Sequence, residues 1–128
     1  AFTLQEIGLK KDKKFLFKLG LLMGKDSVNE IQTLFTRRKA FLNKKIKKPE
    51  NIIQLLGFGK VKIIKQKDKF IVKIKKNHII DYGRNLYNKN SLIYYFYAGI
   101  YSAFLQQLFG MKGNLKINKK GEKIFFYN

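Results

Sequence analysis

The chain has 128 residues, 45% of them hydrophobic, which is the size and apolar content of one ordinary domain able to bury a substantial core. Its 28 Lys and Arg against 8 Asp and Glu give a formal charge of +20, more than solubility needs, and create a field that attracts polyanions. The absence of cysteine excludes disulfides, thiolate metal sites and Cys nucleophiles, while one proline and ten glycines exclude a low-complexity linker or a collagen-like repeat.

An AT-rich genome explains many lysines but not the missing acids, because Lys enrichment for ion pairing normally brings Glu with it. The charge reads either as the mark of a polyanion partner, nucleic acid or an anionic membrane surface, or as genome composition. Ala1–Lys14 lacks the apolar core and cleavage site of a secretory signal. The expected location is cytoplasmic, and the expected organisation is one domain over residues 1–128.

Taken in order, the short apolar segment Ala1–Leu9 reads as an edge strand or an arm. Asp12 can cap a helix in which Phe15, Leu16, Leu19, Leu22 and Met23 recur at three- and four-residue spacing. Gly20 and Gly24, four apart, suggest either close approach of another backbone or a ligand, or a helix end at Gly24. Ser27-Val28-Asn29-Glu30 matches a capping box and predicts a second helix to about Asn43, burying Ile31, Leu34, Phe35 and Leu42. The basic run Lys44–Lys48 reads as a solvated loop or a phosphate site. Pro49 then opens a short helix closed by Gly57, and Gly57-Phe58-Gly59 turns the chain into β-structure.

From Lys60 the apolar period becomes two. Val61 and Ile63 oppose Lys60 and Lys62; after a turn at Lys67-Asp68, Phe70, Val72 and Ile74 alternate with Ile71, Lys73 and Lys75. The pattern predicts an antiparallel hairpin with one apolar and one basic face. Ile79-Ile80 can form a short strand, and Tyr82 to Asn90 reads as a polar loop.

Ser91–Met111 contains no charged residue and is the stretch around which the chain is expected to fold. With Ser91 as N-cap and Gly110 as the C′ residue it makes a helix of about 18 residues, roughly 27 Å long. Apolar almost all round, it is either a central core helix or a membrane span. Four tyrosines in its first half and middle, and Gln106-Gln107, favour the core. Leu115–Asn118 and Lys123–Tyr127 predict a second hairpin around Lys120-Gly121. The fold class is α+β: N-terminal helices, a hairpin, a long central helix and a second hairpin, with both hairpins in one antiparallel sheet.

Leu55–Lys62 with its Gly-aromatic-Gly turn, and the Phe96–Gly110 helix with Phe96, Ala98, Gly99, Leu108 and Gly110, resemble the vinyl reductase domain family, which is related to the small subunits of TRAPP vesicle-tethering complexes. The resemblance covers the chain from Asp12 onward and implies an α+β domain that binds a small apolar molecule or serves as an assembly subunit, as a homodimer or within a complex. Family cysteines before the Ala-Gly of the helix and in the last hairpin are replaced by Tyr94-Tyr95-Phe96-Tyr97 and Lys116–Phe126. No thiol or metal chemistry is carried over.

A catalytic constellation is not apparent. His78 is the only histidine, and the acids, among them Glu6, Asp12, Asp26, Glu30 and Asp81, show no paired spacing. The expectation is a non-enzyme without a cofactor. In one reading an apolar ligand lodges beside the central helix against Phe96, Gly99, Ile100, Ala103 and Phe104, although the side chains by themselves favour plain core. In another, a sheet face carrying Lys60, Lys62, Lys73, Lys75, Lys116 and Lys123 holds a phosphate backbone. With only three arginines among the 28 cations, bidentate base readout is not expected there. In a third, the protein is a structural subunit that dimerises through an exposed helix face.

Overall fold

The structure is a computed structural model that describes residues 4–37, 48–77, 92–120 and 123–128. The described elements are three helices, α1 (Leu4–Arg37), α2 (Pro49–Leu55) and α3 (Ile93–Phe109), and four strands, β1 (Lys60–Gln66), β2 (Lys69–Lys76), β3 (Lys116–Lys120) and β4 (Lys123–Tyr127). The strands form one antiparallel sheet in the order β1-β2-β4-β3, so the two hairpins join through β2 and β4. This is the expected α+β arrangement.

The amino-terminal half differs from the expectation. Where a strand or arm and two helices are predicted, α1 runs unbroken from Leu4 to Arg37, about 51 Å at the standard rise. Ser27 lies inside it, where the helical ladder already occupies the N–H groups that a cap would serve. Continuity is favoured because Gly20, Gly24, Val28 and Ile31 then fall on one buried face. That face packs on α3. A Cβ built on Gly24 would lie 2.7 Å from the Ala103 Cβ and 2.8 Å from the Ile100 carbonyl oxygen; one on Gly20 would meet the Phe96 carbonyl group, and one on Gly99 would lie 2.7 Å from the Leu21 nitrogen. The paired glycines thus mark a close crossing of two backbones, not a helix end. The expected continuation to Asn43, the basic run up to Lys47, and the Asn77–Asn90 region beyond its first residue lie outside the described residues.

α3 is the central layer. Tyr97 through Leu105 are all buried, because α1 covers one side and the inner sheet face covers the other. On the sheet side, Tyr101 meets Phe126 edge-on at 5.5 Å between ring centroids, and Phe109 lies 5.7 Å from Phe70. The helix ends as predicted. Gly110 takes a left-handed conformation, φ 68°, while its N–H and that of Met111 bond back to the carbonyls of Gln106 and Leu105 at 3.1 Å each. At the other end Leu92 is the cap residue and makes no side-chain cap bond; the predicted cap, Ser91, lies outside the described residues. Among the described residues no helix is long and apolar enough to cross a membrane.

Three polar anchors fix the sheet to the helices. The Ser102 hydroxyl donates to the Ala98 carbonyl at 2.6 Å and accepts from the Leu115 N–H at 2.9 Å, seating the entry to β3. The Gln106 amide donates to the Gly113 carbonyl at 2.7 Å and to the Asn114 side-chain oxygen at 2.8 Å. Glu50 of α2 accepts from the Ile63 N–H at 3.2 Å, occupying a donor of the edge strand β1 that would otherwise be open to another chain.

Candidate nucleic-acid interface

The residues expected to line an apolar pocket are distributed around α3 and used in packing. Gly99 abuts the α1 backbone, Ile100, Ala103 and Phe104 have no solvent exposure, and Phe104 meets Phe58 edge-on at 5.9 Å. Phe96 is half-buried, edge-on to Tyr97 at 5.6 Å. The polar groups deeper in this layer are matched to one another. The Tyr101 hydroxyl donates to the Phe58 carbonyl at 2.7 Å, the Asn77 amide donates to the same carbonyl at 3.3 Å, and no buried side-chain polar atom among the described residues lacks a partner. Burial pushes the hydroxyls of Tyr97 and Tyr101 above the ordinary tyrosine value, with Asn77 pulling weakly the other way. Both are neutral phenols at physiological pH. Among the described residues no group of three or more His, Asp and Glu is placed to hold a metal ion.

The outer sheet face is different in kind. Register sets its rows: Ile64, Ile71, Tyr127 and Lys116 lie side by side across the four strands, and the next row is Lys62, Lys73, Phe125 and Asn118. Gln66 and Lys69 lie at one end; Lys60 and Lys75 are exposed at the other, where the β1–β2 ladder is bulged. Lys62, Lys73 and Lys116 are exposed as well, so five of the six lysines expected on this face have open side chains there. Lys123 is in β4, opposite Lys120, and its side chain lies outside the described ones.

Lys62 sits directly opposite Lys73, and none of these outward positions is acidic. Like charges facing each other across a ladder destabilise it, and an anion lying between them relieves that repulsion. The field therefore favours bound anion.

The face is not purely basic, as the alternation of Lys60–Lys75 predicts. Ile64, Ile71, Phe125 and Tyr127 form a half-exposed apolar stripe that takes no part in the core cluster. The Phe125 and Tyr127 rings are neighbours on it, 6.3 Å apart between centroids. Sequence reasoning missed these two aromatics although a signal existed: in Phe125-Phe126-Tyr127 a period of two sets Phe126 on one face and its neighbours on the other, so an aromatic had to face outward, and the burial of Phe126 makes it Phe125 and Tyr127.

Compared with known protein families, curated proteins and solved structures, the chain gives no match. The reading of its function rests on its own geometry.

Proposed function

We propose that the protein binds nucleic acid, in single-stranded form, across the outer face of its sheet. The observation that carries this reading is the apolar stripe of Ile64, Ile71, Phe125 and Tyr127 set between lysines with no acid among them. Lysines Lys60, Lys62, Lys73, Lys75 and Lys116 hold phosphates as point charges, and the aromatic pair receives bases by stacking, which needs no particular sequence. A duplex hides its base faces, so it can use only the lysines.

The test is fluorescence anisotropy with a labelled oligonucleotide, single-stranded and as a duplex, over a salt series. If about four lysines contact phosphates, log K falls with log salt at a slope near −3 for the single strand. Phe125→Ala with Tyr127→Ala is expected to weaken single-strand binding by roughly tenfold or more, at about 1–3 kcal/mol per stacked base, and to leave duplex binding unchanged. Lys62→Glu with Lys73→Glu should weaken both. Equal affinity for the two forms at every salt, or binding to anionic vesicles with none to either oligonucleotide, would overturn the reading.

A further inference from the structure

α1 carries a second surface that neither the core nor the sheet uses. Its side away from α3 exposes Phe15 at 63%, Leu22 at 61%, Met23 at 42% and Leu19 at 38%. Such large apolar groups clustered on one helix face form a patch on the order of a few hundred Å², the scale of the largest apolar patch on a typical monomer, which is often functional. The pattern along it is regular. Asp12, Phe15, Leu19, Leu22 and Asp26 follow one another at alternating steps of three and four, the spacing of a seam that accepts another helix. Lys11, Lys18 and Lys25 recur every seven residues along one flank of that seam, and Leu16, Met23 and Glu30 along the other.

The charges decide the occupant. A second copy of this chain packed antiparallel brings like flanks together, setting Lys11, Lys18 and Lys25 against the same lysines of the copy. Packed parallel, it sets Asp12 and Asp26 in the seam against themselves. Either arrangement adds repulsion between two molecules of charge +20. A helix of another protein, apolar along its own seam and acidic on the flank that meets the lysines, avoids both repulsions.

We propose that the Phe15–Met23 stripe docks an acidic amphipathic helix of a partner protein, with Lys11, Lys18 and Lys25 pairing its carboxylates. The lysines span about 21 Å, so the docked helix is about four turns long.

The probe is a labelled helical peptide of about three heptads, with Leu at its seam positions and Glu on its flanks, titrated against the full chain by anisotropy. A second peptide carries Lys in place of Glu. The Glu peptide is expected to bind saturably and the Lys peptide not at all. Leu19→Ser with Leu22→Ser, on an exposed face and checked for folding by circular dichroism, should weaken the Glu peptide by at least about tenfold. Lys11→Glu, Lys18→Glu and Lys25→Glu together should transfer binding to the Lys peptide. Lys62→Glu with Lys73→Glu, on the sheet, should change it by less than roughly threefold, which separates docking from general attraction of anions to a basic protein. The proposal fails if the serine variant binds the Glu peptide as well as the parent does, or if the sheet variant loses it to the same extent. It also fails if the free protein sediments as a dimer that the serine variant dissociates.

Discussion

Replacing Gly20 by Ala tests the packing on which the layered core depends, because two opposed effects give opposite signs. In an open helix the substitution stabilises by about 0.8–1 kcal/mol, since Ala is the better helix former. Here the new methyl would overlap the Phe96 carbonyl group, whose carbon would be 2.9 Å away and whose oxygen nearer still. The obstacle is backbone, which no rotamer change can move. α1 and α3 must separate, and overpacking of this kind costs about 1–3 kcal/mol or more. Net destabilisation of about 1–2 kcal/mol is expected, roughly 3–8 °C in melting temperature for a chain of this size. Gly99→Ala acts at the same crossing, where its Cβ would meet the Phe17 carbonyl and the Leu21 nitrogen. Once the helices have been pushed apart the second methyl finds room, so the double variant should lose less than the two single losses together. Calorimetry or denaturant melts of the two single variants and the double variant decide the matter. A Gly20→Ala protein more stable than the parent would refute the close crossing.

Other outcomes follow from particular contacts. Tyr101→Phe removes the donor held 2.7 Å from the Phe58 carbonyl and should cost about 1–2 kcal/mol in urea melts, with little change in circular dichroism. Lys67 occupies a left-handed conformation, φ 54°, in the two-residue turn between β1 and β2, so Lys67→Gly should raise the melting temperature by a few degrees, in the direction of about 1 kcal/mol. Because burial raises the Tyr97 and Tyr101 pKa values, the stability their neutral forms contribute is complete below the unfolded tyrosine value of 10.0 and is lost as pH rises above it. Absorbance at the phenolate band should show these two rings ionising only as the protein unfolds in alkali.

The carboxy-terminal half was readable because its signals are local. Alternation at Val61–Ile63 and Phe70–Ile74 assigns the inner face, Lys67-Asp68 marks the turn, and Gly110 ends α3 where its left-handed geometry is needed. The amino-terminal half misled because its local signals are overruled by packing. Ser27-Val28-Asn29-Glu30 has the composition of a helix start, yet Val28 and Ile31 reach the core only if the helix continues through them. Gly20 and Gly24 could mean a stop or a crossing, and only the position of Ile100 and Ala103 distinguishes them. The lysines of the candidate interface were legible from period-two alternation. The aromatic stripe was not, because it is assembled from β1, β2 and β4, and the register that places Ile64 and Ile71 beside Tyr127 is a property of strands far apart in the chain.

Ser102, Leu105 and their neighbours on α3 have no side turned toward water, and this governs how the molecule can open. A surface helix can fray or lift while the rest stays folded, but a helix held between two layers can release its amide protons only when one layer departs. Hydrogen exchange along 97–105 should thus be the slowest in the chain, with a single opening free energy shared by all these amides. Peeling α1 away and unfolding the whole domain would then be one event, so that what clamps the outermost helix also sets the lifetime of the innermost.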